Sequence, residues 1–547
     1  MLPPPALRGV FRTDDRARAA YSEGAGIYRI LPQAVAQPAD TDDVRRLVAW
    51  AAERRIALVP RGAGSAMGGG NVGDGVVVDL TAIARKLEVR VDGHAATSTS
   101  VTLAELNTAA AQHGLRLPPD PSSGRWATLG GMVSTNAAGA RSVRYGSVRR
   151  WVEALHVVSA DGEELVLRRG QAARDSDGAA LRRFDREVAP RIHAAAALIA
   201  SRYPKTRKNS SGYALDAYLA SGDILDLIVG SEGTLGIVTE IEWRLDHVPP
   251  FRAGLRVHLA SLDRLSDVVS ALNPCEPSAL ELLDRTFLDL IGAGTWGGVS
   301  DGFVPEAILL VELERSDPEA LRQVLAAASE AIEHWTISIE TAYSPPEAER
   351  LWAIRHAASP LLAALPEDRR SLQVIEDGCV PVERMGEYIA SVRRLAAARS
   401  LPVVLFGHAG DGHIHVNLLP ELARAGWQAD VAALLDEVTA LIIQLGGTPS
   451  GEHGDGRLRA SALAGVYGAE VVNLFRAVKQ AFDPLGIFNP GIILPSGQPP
   501  IARLKVGPDA APIPEDVQKA LRQIELTGGY GRCRLELAGE EGQGSRV

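Results

Sequence analysis

The chain has 547 residues, 46% of them hydrophobic and 23% charged, and a formal net charge of -10. This is the balance of a globular protein of about three to four domains, and it excludes a nucleic-acid partner held by phosphate neutralisation. Cys275, Cys379 and Cys533 stand too far apart for a disulfide framework or a thiolate cluster.

No run approaches the ~20 apolar residues that span a bilayer. The opening MLPPPALRGVFRTDDRARAAY lacks the apolar core of a signal peptide. The expected setting is reducing and cytoplasmic, with any contact at the inner membrane face peripheral at most. Residues 1–30 are polar and mixed. Val44, Leu47, Val48 and Ala51 then recur at helical spacing, which predicts a helix over Asp40–Arg55 with acids at its start. Short strands are expected at Ile56–Val59 and Val76–Leu80, with RGAGSAMGGG (Arg61–Gly70) between them. This Gly-rich turn suggests phosphate binding, but it carries neither G-x-G-x-x-G opening a helix nor a Walker lysine.

A helix at Leu103–His113 leads into Pro118–Gly146, the stretch on which the chain is organised. It is dense in Gly, Ser, Thr, Asn and Ala, so its main-chain N–H groups can approach a large phosphorylated cofactor. It is read as a surface that grips such a cofactor and leaves the chemistry to other residues, against the plainer reading of a long surface loop. Strands follow at Ala154–Ser159 and Glu164–Leu167, then helix over Asp175–Ser201 with a break at Pro190. KNSSGYALD (Lys208–Asp216) precedes a strand-like segment, Asp226–Leu245. Composition shifts at Pro249–Pro250. Beyond it, strands (Ala253–His258, Ala307–Glu312, Thr336–Thr341) alternate with helices (Leu262–Leu272, Pro318–Glu333) in an α+β pattern. A helix from Pro345 carries Arg355. A strand at Val403–Phe406 runs into GHAGDGHIHVNL, and a helix at Val431–Leu445 into GGTPSGEHGDG. A final helix reaches Phe482, and past Pro495 the composition is that of a partly ordered tail.

The chemistry concentrates in the last third. His408, His413 and His415 fall within eight residues on a Gly-rich turn. With Ile414 in a strand, His413 and His415 share a face and His408 reaches them across the turn. Glu452 and His453 form a second acidic–imidazole pair. Imidazole with carboxylate oxygen suits zinc, manganese or iron, and an adjacent His outside the metal shell suits a general base.

Taken together, RGAGS, PPDPSS…TLGGMVSTNAAGARSVRYG, KNSSGYALD and GSEGTLGIVTE resemble the FAD-binding domain of the vanillyl-alcohol oxidase/p-cresol methylhydroxylase superfamily. GHAGDGHIHVN, SGEHGDG and DPLGIFNPG resemble the C-terminal domain of its D-2-hydroxy-acid dehydrogenase branch, and the two resemblances together cover roughly residues 20–495. The resemblance implies an α+β protein: a two-subdomain FAD-binding domain of the PCMH type over 1–247 and an α+β cap with an antiparallel sheet over 248–445. A segment at 446–496 would return to the FAD domain. The tail, 497–547, faintly resembles the start of an iron–sulfur module but keeps only Cys533, and a cluster needs four ligands.

Carried onto residues, the resemblance places Arg61, Gly62, Ala63, Gly64, Ser65, Gly68, Gly69 and Asn71 around the FAD pyrophosphate. Pro119, Thr128, Gly130, Gly131, Ser134, Asn136, Gly139 and Tyr145 would lie further along the cofactor, with Glu232, Gly233, Ile237 and Val238 at its adenine–ribose end or ring edge. Ser65 stands where some relatives attach flavin through a His, so FAD is expected to be non-covalent. His408, His415 and Glu452 would bind a divalent metal, zinc first, with manganese or iron as alternatives. His453 would take the substrate's hydroxyl proton, Arg355 its carboxylate, and Asn417 would help hold it. His413 stands where the family has Asn, either behind the ligands or as one more.

The implied reaction oxidises a small D-2-hydroxy acid (lactate, glycolate or hydroxyglutarate type). Electrons would pass to a quinone, cytochrome or electron-transfer flavoprotein. The oligomeric state is open, with a homodimer among the expectations. The competing readings are a metal-free flavin oxidase of a sugar or aromatic alcohol, and a non-catalytic flavoprotein partner subunit.

Overall fold

The structure, a computed structural model, describes residues 4–171, 178–292, 304–531 and 533–539. Its first part holds two sheets. Strands Val10–Arg12, Ala34–Gln37, Val76–Asp79 and Leu58–Arg61 form a four-stranded sheet in that order, its last three strands parallel. Helix Thr41–Arg54, capped by Asp40, covers it with Val44, Leu47, Val48 and Ala51, the residues its periodicity singled out. An antiparallel five-stranded sheet is ordered Leu87–Val89, His94–Ser98, Ile237–Arg244, Val152–Val158, Glu164–Arg168. Its core also takes in the helix Leu463–Phe482 near the end of the chain, through Tyr467, Val471, Phe475 and Phe482.

The second part is built on an antiparallel seven-stranded sheet, ordered Thr336–Ala342, Phe251–Leu259, Ala307–Arg315, Ala279–Asp284, Val403–His408, His413–Leu418, Gly378–Cys379. Alternation along each strand sorts its side chains. Leu280, Leu282, Leu405, Ile414 and Val416 enter one core with helices Leu265–Leu272, Met385–Ala397 and Trp427–Gln444. The opposite parity places Glu281, Phe406, His408, His413, His415 and Asn417 on the other face, toward the first part of the molecule.

Two sequence expectations are corrected, and the Pro118–Gly146 stretch gains internal structure. Thr128 caps a helix, Leu129–Thr135, and Ser142–Tyr145 adds a helical turn. The segment expected as strand from Asp226 begins as helix, Leu225–Ile228, because Gly230 and Gly233 adopt positive φ and break any ladder before Ile237. The region past Pro495 is built into the fold: helix Glu515–Thr527 buries Val517, Leu521 and Ile524, spaced i, i+4, i+7, and packs on helix Asp15–Ala20. Over Asp175–Ser201 the described part is helical but interrupted, with a π turn at Phe184–Val188 just before Pro190; Asp175–Asp177 lie outside the described residues. Among the described residues no helix is long and apolar enough to cross a membrane.

Candidate active site

A cavity of about 870 Å³ lies where the two parts meet, at the upper end of ordinary ligand pockets. One end is lined by the Arg61–Asn71 loop, the start of helix Leu129–Thr135 and Gly233–Val238. The other is lined by Arg355, Phe406, His408, His415, Asn417, Glu452 and His453. Most of the expected cofactor residues line it: Arg61, Gly62, Ala63, Gly64, Ser65, Asn71, Thr128, Gly130, Gly131, Ser134, Glu232, Gly233, Ile237 and Val238. Among the described residues the backbone N–H groups of Ala63, Gly64, Ser65 and Ala66 donate to no protein acceptor. Gly64 sits at φ +81, where an added Cβ would strike the Arg61 guanidinium. A run of unpaired N–H groups lining a concavity fits a pyrophosphate, so the donor set fits FAD.

Six expected cofactor residues do not line the cavity. Gly68 and Gly69 turn their carbonyls to Arg457. Pro119 is buried, next in sequence to Asp120, which does line the cavity. Asn136 accepts from Arg149 N–H and meets Ser210. Tyr145 donates to Glu314, 2.5 Å away, joining a buried ion pair with Arg116. Gly139, at φ +109, gives its N–H to Glu452 at 2.7 Å. All of these but Tyr145 stand next in sequence to a residue that does line the cavity. Arg61 lines the cavity, but its guanidinium is spent on the carbonyls of Glu23 and Asn71, bracing the loop. Glu232 likewise accepts from the N–H groups of Asp455 and Gly456 and ties the C-terminal loop to the cavity wall. Burial, with Asp455 nearby, pushes its carboxyl up to about 8.

The tail closes part of this cavity, since Arg522, Glu525, Leu526, Thr527 and Tyr530 line it. Ending the chain after Pro512 is therefore expected to weaken flavin retention. It is also expected to lower Tm, because Val517, Leu521 and Ile524 each give up about 1.5–3 kcal/mol of burial. Flavin retained through gel filtration and a thermal melt would check both.

At the other end, antiparallel pairing of Val403–His408 with His413–Leu418 sets His408 opposite His413 and Phe406 opposite His415. His408 Nε2 lies 3.3 Å from His415 Nε2 and 3.1 Å from Glu452 Oε1, and His415 Nε2 lies 3.7 Å from Glu452 Oε1. Hydrogen bonds on the far side of each ring set the tautomers. His408 Nδ1 faces the Glu281 carboxylate at 2.5 Å and His415 Nδ1 faces the Glu376 carbonyl at 2.9 Å. Both partners only accept, so each Nδ1 carries its proton and each Nε2 is the nitrogen left to offer a lone pair to an ion. Two such nitrogens and a carboxylate oxygen then converge on one point, spaced as ligands about 2.0–2.2 Å from a tetrahedral ion would be. The donor set fits a divalent metal.

Buried charges fix this arrangement. Glu452 Oε2 accepts from Gly139 N–H and from Lys208 Nζ at 2.9 Å, which leaves Oε1 toward the histidines. Burial would raise its carboxyl, but Lys208 and His408 hold it well below the usual range. Asp377 accepts from the N–H groups of Glu452 and His453 and from Ser450 Oγ, pinning the loop that carries them. His413 is not free to join the ligands: its Nε2 is bonded to Asp377 at 2.9 Å and its Nδ1 faces Lys208 at 3.4 Å. It stands behind them, one of the two roles its position allowed.

His453 Nδ1 bonds Glu376 at 2.6 Å, and its ring stacks on His415 with Nε2 3.8 Å from Glu452 Oε1. Its side chain keeps 28% exposure, against 9% or less for the two histidines of the triad. Asn417 lines the cavity and accepts from Ser371 Oγ. Arg355 enters from the last turn of helix Pro345–His356, stacked over Phe406 with Nε on Glu281 at 2.8 Å. Sequence reasoning had not singled out Glu281, Lys208, Glu376 or Asp377.

Two family models match the chain: one described as FAD binding domain over residues 32–168, the other as FAD linked oxidases, C-terminal domain, over 248–493. The chain is 29% identical over 487 residues to glycolate oxidase subunit GlcD of Bacillus subtilis, covering 88% of this chain and 93% of the relative. It is 30% identical over 464 residues to D-lactate dehydrogenase of Archaeoglobus fulgidus, covering 84% and 91%. To D-2-hydroxyglutarate dehydrogenase of Pseudomonas putida it is 32% identical over 517 residues, covering 89% of this chain and 50% of that longer relative. On this fold, this cavity and these matches, the chain belongs to the FAD-linked oxidases of the vanillyl-alcohol oxidase/p-cresol methylhydroxylase superfamily, in the branch of the D-2-hydroxy-acid dehydrogenases.

Proposed function

We propose that the chain oxidises a D-2-hydroxy acid of the lactate, glycolate or hydroxyglutarate type to the 2-oxo acid. It would use dissociable FAD and a divalent metal, zinc ahead of manganese or iron. The observation that carries this reading is the convergence of His408 Nε2, His415 Nε2 and Glu452 Oε1 beside His453 in the cavity that the FAD-binding loops line. When bound, the flavin accepts a hydride and the dication supplies Lewis-acid polarisation.

The chain's own residues do the rest. Arg355 has its Nε committed to Glu281, so its terminal nitrogens are left to grip a carboxylate. Asn417, two residues beyond His415 on the same face, positions the polar end of the substrate. His453 Nε2 takes the hydroxyl proton while Glu376 holds the opposite ring nitrogen. With carboxylate and hydroxyl both gripped by these residues, the substrate would be held in a single orientation, which would fix the enantiomer accepted.

Anaerobic bleaching of the flavin absorbance tests the reading. D-lactate, glycolate and D-2-hydroxyglutarate are compared with the L-enantiomers of the chiral acids, with and without chelator. Bleaching by a D-acid that the chelator abolishes is the expected result. Bleaching that survives chelation would remove the metal from the reading, and none with any acid would sink it.

A further inference from the structure

We propose that Glu281 is a positioning residue that joins the metal ligand His408 and the substrate anchor Arg355 into one unit. The inference rests on the function proposed above and extends it to a coupling between two binding events. Glu281 is wholly buried and lies in the apolar run ALELLD at the middle of the seven-stranded sheet. A carboxylate there is costly unless it is paired on both oxygens. Among the described residues it has two hydrogen-bond partners: Oε1 receives His408 Nδ1–H at 2.5 Å and Oε2 receives Arg355 Nε–H at 2.8 Å. The strand register puts Glu281 directly opposite His408, so the first contact follows from the pairing itself. The second fixes the guanidinium plane, with Phe406 beneath it at 4.7 Å.

One carboxylate thus sets the tautomer of a metal ligand and the orientation of a carboxylate-binding fork. Glutamine has the same shape but cannot serve both, because its amide offers one acceptor oxygen and turns N–H donors toward the other partner, itself a donor. Glu281→Gln should therefore disturb both sites at once. Removing Arg355 acts differently: it leaves the full charge of Glu281 to His408, so the imidazole holds a cation no less well.

The test uses the flavin-loaded, metal-stripped full chain, with Zn2+ titrated against a chromophoric chelator and steady-state kinetics on the D-acid that bleaches the flavin. E281Q is expected to weaken Zn2+ binding by about 10–100-fold and to raise KM. R355M is expected to raise KM while Zn2+ binds as in the wild type or tighter. A general structural role would weaken Zn2+ binding in both variants. Wild-type Zn2+ affinity in E281Q, or Zn2+ binding weakened in R355M, would overturn the inference. If E281Q does not fold with flavin, R355M alone decides it by the same criterion. A wild-type chain that binds none of Zn2+, Mn2+ and Fe2+ would overturn the inference together with the metal reading, whereas normal wild-type binding with an unaffected E281Q would overturn the inference alone.

Discussion

Replacing His415 by Ala, or stripping the protein with a chelator, is expected to lower kcat by about 10³-fold or more while FAD stays bound. Lewis-acid polarisation of a reacting oxygen is worth several kcal/mol of transition-state stabilisation, and each 1.36 kcal/mol is tenfold in rate. The case for so large a loss lies in the donors. With His408 and His415 each protonated at Nδ1, their Nε2 atoms face one another at 3.3 Å with Glu452 Oε1 at 3.1 Å from the first. Without an ion, His408 Nε2 meets Glu452 Oε1 as a proton donor; a dication would displace that proton and take all three atoms as ligands. Burial, followed by the neighbouring imidazoles, holds the His415 pKa well below its usual value, so the ring is neutral and able to ligate near neutral pH. Metal content, the flavin spectrum and kcat, each followed as Zn2+, Mn2+ or Fe2+ is returned, would check the prediction. Recovery is expected with the native sequence and not with His415→Ala. Full activity in a demonstrably metal-free protein would refute it.

How much of this could be read from the sequence follows from the range of the interactions. The histidines of GHAGDGHIHVN were legible because two-residue periodicity puts His413 and His415 on one face whatever the strand pairs with. Glu452 and His453 were legible as a motif. Glu281 was not: ALELLD reads as one more apolar segment, and its single acid gains meaning only from the register that sets it opposite His408, 127 residues away. Lys208 reaches Glu452 across 244 positions, and Glu376 and Asp377 act on a loop more than seventy residues later. No local pattern encodes such pairings. The expected cofactor residues that missed the cavity mark the same limit at finer scale. The motif located the Gly-rich wall, but which residue of each turn faces inward is decided by backbone angles such as those of Gly139. The tail was underestimated because its composition is that of a linker, whereas three apolar residues at helical spacing sufficed to dock it.

His453→Gln should keep both FAD and metal yet lower kcat by about 10²–10⁴-fold, the usual contribution of a positioned general base. Glutamine preserves most of the volume but cannot accept and hold a proton. The geometry argues that His453 is the base and His413 is not. His413 is wholly buried with both ring nitrogens engaged, while His453 has one nitrogen on Glu376 and the other on the cavity side. Burial alone would lower the His453 pKa, but Glu376 and Asp377 push it up to about 10. A dication at the triad, beside Glu452 Oε1 3.8 Å from His453 Nε2, would act in the opposite direction. Glu376 thus raises the basicity of the ring and aims it. Glu376→Gln should cost less in kcat than His453→Gln and lower the imidazole pKa, moving the acidic limb of the kcat/KM profile to lower pH. A pH series on the two variants beside the wild type would check both statements. An unmoved limb in Glu376→Gln, or His453→Gln turning over within a few-fold of the wild type, would assign proton removal to another group.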